Sequence, residues 1–368
     1  MRMTLHLFNP SHDEALAFGA ATYCPGSAAR RMSELLWDLP RWWKEEGDEI
    51  LRLPPDGSLR GVKSPDWGRV ERIMPWGWDA HIVRLLQRLG APAHLLPATA
   101  DLERWRQLSS RRTTVLMLKH LRTSIANDSA LQFMLPADSW WCTTSEELQR
   151  AVECAGGAVF MKAPWSCSGR GVWRCEGEDH DKAFRRATAI LQRQGAVEVE
   201  PAYTRVADLA MEYECEADGT LRFEGLSFFD TSSSGGYQGN MVATQEEIAT
   251  RIAAYGICSV QQLQTAQSVV ADALRQVLGG GYCGPLGVDM MLTPHGLHPC
   301  VEVNLRMTMG RVAIYKALHS EGRQTPVPPL TQHPAEKTAA HTYTARCGHV
   351  CGRAPCGTTV PDTPLADL

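Results

Sequence analysis

The sequence predicts a chain of mixed α/β and α+β type, with a small α/β domain at 1–100 and an α+β domain at 101–325. Strand-like and amphipathic helical segments alternate over the first part, which indicates a layered α/β domain. Later in the chain, short strands follow one another through glycine-rich turns, which indicates antiparallel hairpins. The tail at 326–368 is rich in Pro and Thr with little periodicity, and we expect it to be disordered.

Composition limits the classes of protein to which the chain can belong. Its 368 residues suffice for two or three domains, and 44 % apolar with 21 % charged residues is typical of a soluble globular protein. A net charge of -4 gives no general attraction to nucleic acid or to an anionic membrane, so we expect neither as a partner. No signal-peptide core or membrane-spanning run is visible, which predicts a cytoplasmic protein. The twelve cysteines are mostly scattered and are interpreted as free thiols.

The first strand, "LHLF", leads into the segment "NPSHDEALAF". Ser11 and Glu14 have the S-x-x-E spacing of a capping box, which predicts a short helix. Asn9, His12 and Asp13 follow the end of the strand, where they serve either as loop and cap residues or as substrate contacts, and the first interpretation is favoured. This strand end is therefore a candidate edge for a ligand.

A second helix is predicted from "PWGWDAHIVRLLQRLGAP", with Asp79 as its cap and Gly90 as its end. The following segment, "AHLLP", is predicted to form a strand. Residues 102–131 are helical and basic in character. The segment "SWWCTTSEELQRAVECAGG" then predicts a strand and a helix capped at Ser145.

The stretch "KAPWSCSGRGVW", from Lys162 to Trp173, separates two predicted antiparallel strands. It is not a Walker A loop, because its lysine precedes the glycines, and it does not extend to G-x-G-x-x-G. A loop rich in Ser and Gly presents backbone N–H groups and hydroxyls that can cover an anionic ligand. We therefore expect Lys162 to project beneath a flexible lid at 163–173.

Two further strand segments bring carboxylates together on one face. In "AVEVEPAY", Glu198 and Glu200 share a face, which requires either solvent or a ligand. Later, "GVDMML" and "HPCVEVNL" predict a hairpin in which Asp289 lies opposite Glu302, with Asn304 on the same face as Glu302.

Like charges directly opposite one another are unfavourable without a cation, and two carboxylates with an amide carbonyl are ligands that suit Mg²⁺. Together with Lys162 and the lid, they predict a site for Mg-ATP.

Taken in order, "FMKAPWSCSGRGVW", "VEVEPAY…DLAMEYE" and "GVDMML…VEVNLR" resemble the ATP-grasp superfamily over roughly residues 110–325. The resemblance implies a fold in which two α+β subdomains grip ATP beneath a glycine-rich lid, preceded by a small α/β domain. It implies ATP as substrate, with one or two Mg²⁺ ions for which Mn²⁺ can substitute. It implies that Lys162 contacts the phosphates of ATP and that the lid is formed by Ser166, Ser168, Gly169, Arg170 and Gly171. It implies Glu200 near the adenine and Asp208 at the ribose hydroxyls. The implied metal ligands are Asp289, Glu302 and Asn304, and Arg306 is implied to stabilise the transferring phosphate.

The sequence departs from the family pattern in three places. Leu305 stands where proline is common after the asparagine, a change expected to be harmless. The usual phosphate-binding lysine at the start of the central domain is ambiguous, with Lys119 as the candidate and Arg112 as its rival. The substrate half matches no subfamily.

The resemblance implies a ligase that phosphorylates a substrate carboxylate and joins the acyl phosphate to an amine or a thiol. Its partners would be small carboxylate and amine or thiol substrates of an amino-acid or peptide-like kind, and the fold often forms homodimers. Arg306 and Lys162 are the predicted catalytic residues. Two alternatives stay open, a kinase on the same fold and a nucleotide-binding protein without turnover.

Overall fold

The computed structural model describes residues 2–166, 171–177, 180–232 and 236–320 of the chain. The predicted lid residues Ser168, Gly169 and Arg170 and the tail at 326–368 lie outside these ranges. No helix within the described ranges is both long and apolar enough to cross a bilayer. The cysteines of the described part are free thiols, as predicted.

The first part of the chain forms a three-stranded parallel sheet. Its strands in the order β2-β1-β3 are β1 (Met3–Leu7), β2 (Glu49–Ile50) and β3 (Val70–Pro75), and its helices are α1 (His12–Phe18), α2 (Ser27–Leu36) and α3 (Ala80–Arg88).

The predicted strand "LHLF" and the two predicted helices of this part are confirmed, whereas the cap at Ser11 and the strand "AHLLP" are wrong. The carboxylate of Asp79 accepts a hydrogen bond from the N–H of Ile82, 2.8 Å away, so its predicted cap is confirmed. Ser11 precedes α1 but makes no capping hydrogen bond with its side chain, because its backbone is not in the extended conformation of a capping residue, and the carboxylate of Glu14 accepts a hydrogen bond from the hydroxyl of Tyr23. The segment "AHLLP" forms a short 3₁₀ helix at Ala93–Leu95 and not a strand.

Two helices, α4 (Thr99–Leu108) and α5 (Arg112–Asn127), lead to a four-stranded antiparallel sheet. Its order is β4-β7-β5-β6, with β4 (Trp140–Cys142), β5 (Val159–Lys162), β6 (Val172–Cys175) and β7 (Val197–Pro201), and it carries α6 (Ser145–Ala155) and α7 (His180–Gln194). The predicted cap at Ser145 is off by one residue, since the hydroxyl of Thr144 accepts the capping hydrogen bond. The predicted antiparallel pairing around the glycine-rich loop is confirmed, with Lys162 opposite Val172.

The last part forms a five-stranded antiparallel sheet in the order β10-β9-β8-β11-β12. The strands are β8 (Ala207–Cys215), β9 (Leu221–Thr231), β10 (Tyr237–Asn240), β11 (Gly284–Thr293) and β12 (Gly296–Asn304), and the helices are α8 (Gln245–Ala253), α9 (Val260–Leu278) and α10 (Met309–Ser320). Its main core lies between the sheet and the helices α5 and α9, and it includes Met117, Leu121, Leu209, Leu274 and Val288.

The predicted mixture of an α/β part and two α+β parts is thus confirmed, and it is the arrangement that the family resemblance implies. The bounds at residues 100 and 325 stay predictions. The last helix also closes against the first part of the chain, because Met307 and Val312 pack with Phe8, Trp42 and Trp76 in one apolar cluster. This contact brings the end of β12 to the start of α1.

Candidate nucleotide and metal site

The β11–β12 hairpin has the predicted register, with Asp289 directly opposite Glu302. Asn304 reaches back across the hairpin, and its Nδ2 donates to Oδ2 of Asp289 over 3.1 Å. Burial and the nearby carboxylates of Glu302 and Glu212 together raise the pKa of Asp289 to about 8, although Arg306 opposes this rise. A carboxylate in such a place is stabilised in its charged form by a nearby cation.

Lys162, at the end of β5, is buried. Its Nζ lies 2.7 Å from Oε1 of Glu200 and 3.9 Å from Oε2 of Glu198, and it donates to the backbone carbonyl of Val301 over 3.4 Å. Burial raises the pKa of Glu198 to about 7, although Lys162 counteracts this. The two carboxylates of β7 therefore face a buried lysine. Since both are buried, the solvent alternative for this face is wrong, and the ligand alternative stays a prediction.

Arg111, which was not among the predicted site residues, joins the two sheets. Its Nη2 lies 3.0 Å from Oε1 of Glu302 and donates to Oγ of Ser166 over 3.3 Å, while its Nη1 lies 3.9 Å from Oε2 of Glu198. Its backbone N–H donates to the carbonyl of Pro164 over 3.0 Å. The buried guanidinium thus contacts the lid base, the predicted metal strand and the β7 carboxylates together.

The two residues predicted for this position lie elsewhere. Lys119 and Arg112 are both exposed on α5. No pattern in the sequence distinguishes Arg111 from Arg112, because the two arginines are adjacent within one predicted helical segment.

Arg306 makes a two-point ion pair with Asp13 of α1. Its Nε lies 3.0 Å from Oδ1 and its Nη2 lies 2.9 Å from Oδ2 of Asp13. Nη2 also donates to Oδ1 of Asn304 over 2.9 Å, and Nη1 donates to the carbonyl of Met307 over 3.0 Å. Since a guanidinium has five N–H groups, these contacts leave one N–H of Nη1 for a ligand. The acidic partner raises the pKa of Arg306, despite burial, so the side chain is always charged.

The remaining predicted residues lie around this cluster. Asp208 on β8 accepts a hydrogen bond from the hydroxyl of Thr231 over 2.5 Å and pairs with Arg205 over 3.2 Å. At the base of the lid, Gly171 is required by crowding, since a Cβ there would lie 2.3 Å from Cβ of Ser166. The carbonyl of Gly171 accepts the N–H of Ala163 over 2.8 Å, which closes the loop at its base.

The donor set fits a hard divalent cation. Asp289, Glu302 and Asn304 offer only oxygen ligands, and the two carboxylates lie side by side with an unfavourable like-charge contact that a cation relieves. Among the described residues there is no group of three or more His, Cys, Asp and Glu side chains that could hold a metal ion. The protein would therefore supply two carboxylates and one amide as ligands of the cation. Phosphate oxygens and water would complete the coordination, as is usual for Mg²⁺.

Comparisons with known proteins give structural likeness only. No protein-family model matches the sequence. A comparison with curated proteins also gave no match. The fold is similar to that of the D-cycloserine synthetase DcsG, at 13 % identity and a TM-score of 0.48, over 86 % of this chain and 99 % of that one. It is similar to D-alanyl-alanine synthetase A from Vibrio cholerae, at 14 % identity and a TM-score of 0.46, over 93 % and 98 %. A RimK domain protein ATP-grasp from Sphaerobacter thermophilus matches at 18 % identity and a TM-score of 0.39, over 86 % and 98 %.

Proposed function

We propose that the chain is an ATP-grasp ligase that binds Mg-ATP between its four-stranded and five-stranded sheets. It would phosphorylate a substrate carboxylate and join the acyl phosphate to an amine or a thiol, with release of ADP and phosphate. The observation that carries this proposal is the meeting of the Asp289 and Glu302 pair with buried Arg111, whose Nη2 lies 3.0 Å from Oε1 of Glu302. Carboxylates that can hold a metal and a cation that can bind phosphate thus lie in direct contact.

The basic residues would hold the phosphates of ATP. Lys162 and Arg111 lie on the side of the lid, and both can exchange their contacts with carboxylates for phosphate oxygens, which bind a guanidinium in two-point geometry. We assign to Arg111 the phosphate-binding role that the sequence left open between Lys119 and Arg112. The free N–H of Arg306 would contact the transferring phosphate or the acyl phosphate. Glu200 would contribute to adenine binding.

Asp289, Glu302 and Asn304 would hold Mg²⁺ or Mn²⁺, which would neutralise negative charge on the phosphate oxygens. Asp208 would bind the ribose hydroxyls. The lid would exclude water that hydrolyses an acyl phosphate. Catalysis of this kind needs alignment and charge neutralisation and little covalent chemistry from the protein. Small carboxylate and amine or thiol substrates would be the partners, and a homodimer is the expected assembly.

The test is release of ADP and phosphate from Mg-ATP in the presence of pooled amino acids, small peptides and polyamines, with product masses recorded. The wild type is compared with Glu302→Gln and with Glu153→Gln, a control on the exposed surface of α6. A condensed product that needs Glu302 but not Glu153 supports the ligase. A stable phosphorylated product would indicate a kinase, and nucleotide binding without turnover in any pool would indicate a binding protein.

A further inference from the structure

A small pocket lies where α1 meets the end of β12. Its walls include His12 and Asp13 from α1, Ser166 from the lid base, and Glu302 and Asn304 from β12. It encloses about 20 Å³, enough for one water-sized group such as an amino group. An imidazole from the first part of the chain therefore shares one small space with the proposed metal ligands.

His12 is held in one orientation by Asp79. Its Nδ1 lies 3.2 Å from Oδ2 of Asp79, and both side chains are buried. The same carboxylate accepts the N–H of Ile82 over 2.8 Å and Nδ2 of Asn9 over 3.2 Å. A carboxylate that accepts these hydrogen bonds requires a proton on Nδ1 of His12, which leaves the lone pair on Nε2 when the ring is neutral.

Gly77 fixes the ring from its other side. A Cβ at residue 77 would lie 2.6 Å from Cγ and Cδ2 of His12, so only glycine allows the ring to lie against this backbone. Nδ1 makes the hydrogen bond to Asp79, whereas Nε2 has no hydrogen-bond partner among the described residues. Here one nitrogen is left to a group that enters the pocket.

We propose that this pocket is the acceptor site, that the acceptor is an amine, and that His12 is the base which takes its proton. The proposal rests on the proposed function. The amine lone pair forms the C–N bond at the acyl carbon, the bond from that carbon to the phosphate oxygen breaks, and phosphate leaves with the electron pair. The N–H proton passes to Nε2 of His12, and Asp79 stabilises the imidazolium that results.

The pair of His12 and Asp79 favours an amine over a thiol as the acceptor. A thiol can lose its proton before the attack and react as a thiolate, so the attack itself transfers no proton to a base. An amine must lose a proton as the amide forms, and a positioned histidine increases the rate of such a step by about 10²–10⁴-fold. The volume of about 20 Å³ agrees with an amino group.

Hydroxylamine distinguishes formation of the acyl phosphate from the attack of the amine on it. It is unprotonated at neutral pH and attacks an acyl phosphate without a base, so hydroxamate formation from Mg-ATP and pooled amino acids reports the acyl phosphate alone. His12→Asn keeps an amide N–H for Asp79 but removes the base. We expect this variant to form hydroxamate within about threefold of the wild type and to form the amide product at least about 100-fold more slowly.

Two further variants keep the test clear if His12→Asn folds poorly. Gly77→Ala leaves the imidazole in the chain but displaces it, and it should show the same selective loss. His81→Asn alters another buried histidine, which lies on α3 outside the pocket and contacts the carbonyl of Ala21 over 3.4 Å, and it should leave both products unchanged. Equal rates of amide formation in wild type and His12→Asn would overturn the role of His12. Absence of hydroxamate from the wild type would instead overturn the proposed acyl phosphate reaction.

Discussion

Replacing Lys162 by Met should destabilise the protein strongly, apart from any effect on ATP. The Nζ of Lys162 lies 2.7 Å from Oε1 of Glu200, and the two side chains are only 3 % and 5 % exposed. Removing one partner of a buried ion pair leaves the other charge without compensation, which typically costs about 3–5 kcal/mol. The expected loss is therefore about 3–5 kcal/mol in the free energy of unfolding. An exposed pair such as Arg275 with Asp272 should lose less than about 1 kcal/mol when Arg275 is changed to Met.

The double variant Lys162→Met with Glu200→Gln identifies the cause. Glu200→Gln removes the buried carboxylate that Lys162→Met leaves without a partner. The double variant should therefore be more stable than Lys162→Met alone, with an interaction energy of about 2 kcal/mol. Urea unfolding followed by tryptophan fluorescence measures all the variants. Simple addition of the two single effects, or a cost of Lys162→Met below about 1 kcal/mol, would refute the reasoning.

Three other predictions concern the same region. Burial raises the pKa of Glu212 from 4.5 to about 7, so the native state binds the carboxyl proton of Glu212 more tightly than the unfolded chain does. The free energy of unfolding should therefore fall by about 3 kcal/mol as the pH rises from about 4.5 to about 7. Thermal unfolding should show a flatter pH dependence in Glu212→Gln, and an unchanged slope would contradict this. Arg111→Met should weaken Mg-ATP binding by about 10–100-fold in calorimetric titration, whereas Lys119→Met should not, and the opposite pattern would return the role to Lys119. Gly310→Ala should lower the free energy of unfolding by about 1–3 kcal/mol, because its Cβ would lie 2.2 Å from Oε1 of Glu212. The melting temperature measures this loss, and Gly157→Ala is the control because a Cβ at residue 157 would meet only open space.

Local patterns in the sequence were enough to predict the hairpin of the candidate metal site. The period of two along "GVDMML" and "HPCVEVNL", with a short turn between them, defines which side chains lie opposite one another. The pairing of Asp289 with Glu302 follows from this pattern, because a hairpin is a contact between neighbours in sequence. The antiparallel strands around the glycine-rich loop were predictable for the same reason.

Contacts between distant segments were not predictable in this way. Arg111 and Arg112 are identical in residue type, yet Arg111 is buried and Arg112 is exposed. The reason is that Arg111, which precedes α5, contacts Pro164 and Glu302. The segment "AHLLP" has strand-like residues, but no neighbouring strand pairs with it, so it winds into a 3₁₀ helix. Glu198 and Glu200 look like surface carboxylates until the buried lysine of the adjacent strand is known.

The ion pair between Asp13 and Arg306 joins residues 293 positions apart, and the same contact region includes the apolar cluster of Phe8 with Val312. A ribosome that adds about 5–20 residues per second needs roughly 15–60 s to pass from one partner to the other. During synthesis, Phe8, Trp42 and Trp76 therefore lack their packing partners Met307 and Val312 until those two residues have been made. A nascent chain interrupted before β12 is completed would lack both these packing partners and the proposed metal ligands, so the proposed site can form only after residue 306 has been synthesised.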